Sequence, residues 1–161
     1  MIRLVFGAML TPMKKLLCAF VVIAAALLFV APQVSAQNYE NALKTAKSEN
    51  KPLLLYFYSK TCYFCGLMDK NTLSDNAIEA VIRRDFVYLR IDVDRSIDLA
   101  RLYRIAGTPS SWFLEPSGKR LFEAPGYVEK SDYKTILEYV KGRYYDSMDL
   151  LAYMKKASSR R

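Results

Sequence analysis

The sequence predicts an α/β fold: a mixed sheet of about four to five strands, with helices on both faces and an extra helix at the C-terminal end. Three observations carry this reading. Short apolar runs of strand length alternate with segments whose apolar residues recur at helical spacing. Strands separated by helices call for right-handed parallel crossovers. Two late strands joined by a tight turn add antiparallel pairing.

The elements follow in order. Asn38 to Asn50 reads as a helix, with Ala42, Leu43 and Ala46 on one face, and Asn50-Lys51-Pro52 ends it. Leu53 to Tyr58 is a continuous apolar run, as a strand buried on both faces requires. A helix after Cys62 is expected to reach about Lys70. Ser74 or Asp75 caps the next, which turns Ile78, Val81 and Ile82 inward and ends on Arg83-Arg84, the favourable sign for a helix C-terminus. Phe86 to Asp92 is a second strand and Ile97 to Tyr103 a short helix. Ser110 to Leu114, the turn Glu115-Pro116-Ser117-Gly118, and Arg120 to Ala124 form a hairpin. From Ser131 the spacing of Tyr133, Ile136, Leu137 and Val140 is helical, ending near Gly142, and a last helix is expected from about Ser147 to Lys156.

Composition narrows the function. The chain has 161 residues, 52% of them hydrophobic, enough for one domain with a core. Of the formal +8 charge, three units (Arg3, Lys14, Lys15) fall in an opening segment that has no acid. The remaining surplus is spread along the chain, apart from the tail Lys155-Lys156 and Arg160-Arg161, rather than gathered on one face, which argues against a nucleic-acid partner. Histidine is absent, so the commonest general base and metal ligand is missing. Catalysis here must rest on cysteine, carboxylate, lysine or tyrosine.

The first 36 residues read as a secretory signal peptide, leaving residues 37–161 as the mature domain. Lys14-Lys15 precede an apolar run from Leu16 to Ala31, and Val34-Ser35-Ala36 present small or short residues for cleavage before Gln37. The run falls short of the roughly 20 residues that cross a bilayer comfortably, and an uncleaved anchor in the inner membrane is the alternative. Cleavage would remove Cys18 and leave Cys62 and Cys65 as the only cysteines, in a compartment where disulfides persist.

Cys62-Tyr63-Phe64-Cys65 puts two sulfurs on one turn at the start of a helix. A structural zinc site wants four ligands, and haem attachment wants a histidine where Gly66 stands; a two-coordinate soft metal such as Cu(I) remains an option. A purely structural bridge over so short a loop removes little unfolded-chain entropy. A redox pair fits best. Cys62, in the first turn, is favoured as thiolate by unpaired N–H groups, and Cys65 is placed to resolve a mixed disulfide.

The chain resembles the thioredoxin-like superfamily, and among its members the secreted bacterial SoxW-type thioredoxins and the C-terminal domain of the DsbD reductase. The resemblance covers residues 38 to 141. It rests on the strand, Cys62-Tyr63-Phe64-Cys65 and the helix; on Arg90-Ile91-Asp92-Val93-Asp94; on Gly107-Thr108-Pro109 before a strand; and on Phe113 to Lys119 and Gly126-Tyr127. It implies a three-layer α/β/α domain and a periplasmic thiol–disulfide oxidoreductase, with Cys62 and Cys65 catalytic and no cofactor beyond their disulfide. Pro109 would follow a cis peptide bond beside the cysteines, leaving the Thr108 backbone free to pair with a substrate segment. Tyr63 and Phe64 would be exposed for substrate docking. The implied partners are protein thiols and disulfides, with a membrane-embedded electron donor and a monomeric enzyme. A reductant is the expected direction; an oxidase or isomerase, or a binding module for copper or a partner protein, is the alternative.

Three departures from the family pattern stand out. Thr61 replaces the usual tryptophan before the first cysteine, and Tyr63-Phe64 is an uncommon intervening pair. The buried acid and lysine of many relatives correspond to Tyr56 and Tyr88. Replacing both avoids an orphaned charge but leaves Cys65 without an obvious base, so that water or Tyr56 would have to serve.

Overall fold

A computed structural model describes residues 33–159. The leader expected over residues 1–36 lies outside them, apart from the helical backbone of 33–36. The first helix, α1, spans Gln33–Glu49 and so begins earlier than its apolar face suggests.

Strand β1 (Leu53–Tyr58) is the centre of the molecule, with Leu53 through Phe57 fully withdrawn from solvent. It pairs in parallel with β2 (Val87–Asp92) and antiparallel with β3 (Ser110–Leu114), so that Leu55 lies between Leu89 and Trp112. β3 pairs antiparallel with β4 (Arg120–Pro125), giving four strands in the order β2-β1-β3-β4. The mixed sheet is the expected one.

Alternation along β1 sends side chains into two cores. Leu54 and Tyr56 face a layer built from Met68, Phe113, α3 (Asn76–Asp85) and α5 (Lys130–Lys141). Leu53, Leu55 and Phe57 face the other, with Ala42 and Ala46 of α1 and Leu99 of α4 (Ile97–Leu102). Each sheet face is therefore covered by two helices. The hydroxyls of Tyr39 and Tyr103 meet at 2.7 Å and tie α1 to the end of α4.

Local chemistry sets several boundaries that periodicity misses. Helix α2 (Tyr63–Met68) does not continue regularly to Lys70 but widens into a π turn, Asp69–Leu73, that buries Thr72. The Thr72 hydroxyl donates to the Val128 carbonyl at 2.9 Å. Phe86 is buried as the C-cap of α3, and β2 starts one residue later. After α5 the chain turns through a left-handed Arg143 and a 3-10 turn, Tyr144–Asp146. The last helix, α6 (Leu150–Ser158), then starts where the Asp149 carboxylate accepts from the Ala152 N–H at 2.9 Å. Tyr139 donates to the Met148 carbonyl at 2.7 Å, and its ring meets those of Tyr145 and Tyr153, so this segment packs on α5.

Asp75 caps α3, accepting from the N–H groups of Ala77 and Ile78, and also pairs with Lys130 at the start of α5. The Lys130 bond, then those backbone bonds, hold its carboxyl below the ordinary carboxylate value. A depressed folded pKa gives stability that is present above the unfolded value and is lost as pH falls through the folded one. Asp75→Asn should therefore flatten the acid limb of a urea-midpoint-against-pH curve below about pH 4. Phe113→Ala, which empties the centre of the cluster formed with Phe86, Phe122 and Tyr133, should cost about 3–5 kcal/mol in the same unfolding experiment.

Candidate active site

β1 ends at Tyr58, whose carbonyl accepts from the Val93 N–H at 3.0 Å, and a short polar turn follows. Ser59 organises that turn. Its hydroxyl donates to the Asp94 carboxylate at 2.8 Å, its carbonyl accepts from the Cys62 N–H at 3.3 Å, and its oxygen lies 3.2 Å from the Thr61 hydroxyl. The turn delivers Cys62 to the N-cap of α2 in an extended conformation, with Sγ accepting from the Cys65 N–H at 3.1 Å. Cys62 and Cys65 form a disulfide with Cα atoms 5.3 Å apart. The two sulfurs are not equivalent: Cys62 is partly exposed, whereas Cys65 is only 3% exposed.

The loop before β3 closes over this pair. The Thr108 carbonyl oxygen lies 3.3 Å from Cys62 Sγ, and the Thr108–Pro109 peptide bond is cis. Pro109 is buried, and its carbonyl accepts from the N–H of Gly126 at 2.7 Å. Gly126 has φ +77, a conformation that glycine adopts without strain. Tyr63 is 74% exposed and Phe64 57%, in an edge-to-face pair with centroids 5.5 Å apart. Large aromatics this open, lying between the two cysteines, form an apolar patch that the described residues leave uncovered.

Tyr56 holds the position where the resemblance places an acid, but the residue opposite it in β2 is Arg90, whereas Tyr88, expected at the lysine position, lies opposite Leu54. Tyr56 is fully buried, and among the described residues its hydroxyl has no hydrogen-bond partner. Burial, with Asp69 nearby, pushes the Tyr56 phenol up, and burial pushes Tyr88 up to about 12. Tyr56 therefore stays a neutral phenol around neutral pH. Burial thus works against the phenolate that the base role left open by the sequence would need.

Sequence reasoning missed two features. The turn preceding Cys62 is clasped by Asp94, and Arg90 makes a two-pronged pair with Asp69, the first residue after α2. The signal for the second was available: alternation along β2 places Arg90 on the same face as Tyr88, an unusual side for an arginine. A cleft of about 730 Å³ runs between α3 and β2 over Leu73, Ile82, Phe86 and Tyr88 and does not include the cysteines. Among the described residues no three His, Cys, Asp or Glu side chains gather as a metal site.

Residues 39–141 match the family model of a thioredoxin-like domain. The chain belongs to this family. It is 30% identical over 94 residues to the thiol:disulfide interchange protein DsbD of Vibrio vulnificus, covering 56% of this chain and 16% of that protein. An uncharacterised protein of Caenorhabditis elegans is 29% identical over 85 residues, which is 48% of this chain and 12% of that one. The chain thus spans a small part of the length of these relatives. Among solved structures, a thioredoxin from Thermus thermophilus is 29% identical with a TM-score of 0.58, over 63% of this chain and 82% of that one. The oxidised C-terminal domain of Neisseria meningitidis DsbD shares the fold with a TM-score of 0.56 at 24% identity, over 65% and 95% of the two chains. The thioredoxin-like fold and its C-x-x-C disulfide are the arrangement that supports thiol–disulfide exchange.

The unpartnered Tyr56 hydroxyl gives a direct test of this interior. Tyr56→Phe should be neutral or stabilising by up to about 1 kcal/mol in denaturant unfolding, because it removes a buried donor with nothing to bond. A loss above that size would show that the hydroxyl has a partner.

Proposed function

We propose that this chain is a periplasmic thiol–disulfide oxidoreductase that reduces protein disulfides. The observation that carries the reading is the asymmetry of the pair: an accessible Cys62 at a helix N-cap, backed by a buried Cys65 within bonding distance. In the reduced protein the Cys62 thiolate attacks a substrate disulfide. One substrate sulfur leaves as thiolate, and Cys62 is joined to the other. Cys65 then gives up its proton and attacks Cys62 Sγ. The mixed disulfide breaks, the second substrate sulfur leaves and takes up a proton, and the Cys62–Cys65 bond forms. Two electrons have passed from the dithiol to the substrate.

The leader pattern over residues 1–36 supports export. Among the described residues no helix is long and apolar enough to cross a membrane. The domain works as a monomer, re-reduced by a membrane-embedded donor. Similarity to thioredoxin and to the thiol:disulfide interchange protein supports the reducing direction. Thr108 receives the substrate backbone beside Cys62, and the open Tyr63–Phe64 pair takes its apolar side chains.

Cys62→Ser and Cys65→Ser should each abolish dithiothreitol-driven insulin reduction; wild-type rates in either would end the enzyme reading. A reduction potential near about −270 mV would mark a reductant and one near about −120 mV an oxidant. Tyr63→Ala with Phe64→Ala should slow reaction with protein disulfides roughly tenfold more than with a small disulfide, as loss of two aromatic contacts implies. Equal slowing of both would remove the docking role.

A further inference from the structure

Arg90 sits opposite Tyr56 in the β1–β2 register, on the face that leads towards the redox helix. Its guanidinium carbon lies 5.1 Å from the Tyr56 ring centroid and 4.8 Å from that of Tyr58. Those two rings stack almost in parallel, at 8°. The two Nη groups donate, each at 2.8 Å, to the two oxygens of Asp69. Asp69 is the C-cap of α2, and its backbone N–H donates to the Cys65 carbonyl. One side chain therefore grips both ends of the segment that holds the disulfide. The strand entering at Tyr58 lies on one side, and the helix leaving through Cys65 and Asp69 lies on the other.

We propose that Arg90 is a positioning residue of the dithiol site, holding the strand that delivers Cys62 in register with the helix that carries Cys65. The inference rests on the thiol–disulfide reading above. An ordinary exposed ion pair would fix little, and both Arg90 and Asp69 keep 39% of their side-chain surface. What distinguishes this one is its geometry. A planar fork meets a carboxylate with two parallel bonds while its other faces lie near two rings, a combination that an ammonium cannot reproduce. The second exchange step needs this register most. Cys65 must reach Cys62 Sγ in line with the departing substrate sulfur, whereas the first step uses Cys62 alone, at the surface.

The test is a single turnover of the reduced full-length protein with a fluorescent cystine peptide, acid-quenched and resolved by mass. Arg90→Gln should lengthen the life of the Cys62–peptide mixed disulfide about tenfold, as loss of a fork and two cation–ring contacts implies, while its rate of formation changes less than about twofold. Arg90→Lys, which keeps the charge, should fail to rescue. Asp69→Asn should lengthen the life less, and the double variant should be no worse than Arg90→Gln. Arg83→Gln, which breaks the pair with Glu79 on α3, serves as a control for general loss of stability and should leave the lifetime unchanged at a matched melting temperature. A lifetime within twofold of wild type in both Arg90 variants would overturn the proposal, as would equal lengthening in the Arg83 control. Cys65→Ser keeps the two readings apart. If it accumulates no mixed disulfide, the oxidoreductase reading itself fails; if it does and the Arg90 variants behave as wild type, only the role of Arg90 falls.

Discussion

Five consecutive residues of β1, Leu53 to Phe57, are withdrawn from solvent, so this strand must be covered on two faces and paired along two edges. Burying such a run contributes on the order of 2 kcal/mol per large side chain, but only if both layers close. That requirement places α3 and α5 on one face and α1 and α4 on the other. It also fixes where the strand can end. Beyond Tyr58 the backbone has to leave the sheet at its rim, and the polar turn at Ser59 puts the next residues at the surface. The place of the partly exposed Cys62 at the sheet rim follows from the burial of the strand before it.

The same geometry makes the two cysteines unequal. Cys62 caps a helix whose first N–H groups lack intrahelical partners, and one of them already points at its sulfur. Cys65, one turn on, faces inward and is nearly sealed. Around it the interior is polar in places but uncharged. The buried polar residues are threonines, serines and tyrosines, and among the described residues no Asp, Glu, Lys or Arg is buried. In the proposed reaction Cys62 is accordingly the attacking sulfur, and Cys65 acts once the mixed disulfide has formed beside it.

Most of the fold was legible because β1 is one unbroken apolar run of strand length, and α3 and α5 each repeat a helical period over enough residues. The cysteine pair was legible because two residues and a strand–helix junction define it. What escaped depends on contacts rather than periods. The π turn after Met68 is set by Thr72 reaching the Val128 carbonyl, 56 residues away in sequence. The start of α6 is set by one carboxylate, Asp149, after a left-handed Arg143 has broken the run. Alternation says that Arg90 shares a face with Tyr88, but not that the same guanidinium lies near two tyrosines and a carboxylate. Tyr56 shows the opposite limit: its place beneath the site was readable, yet only the structure shows that it is fully buried, which works further against its phenolate.

The absence of buried charge and the presence of the Asp69–Arg90 pair are two sides of one arrangement. An ion pair deep in the core would meet a desolvation penalty that its mutual attraction does not reliably offset. Set at the rim of the α3–β2 cleft, with more than a third of each side chain still in water, the pair keeps most of its solvation. It retains the directional part of the interaction, two parallel hydrogen bonds, and adds two aromatic faces that need no desolvated charge. Polar organisation is thereby moved from beneath the cysteines to beside them. There it constrains the backbone on either side of the disulfide without placing an ionised group against either sulfur.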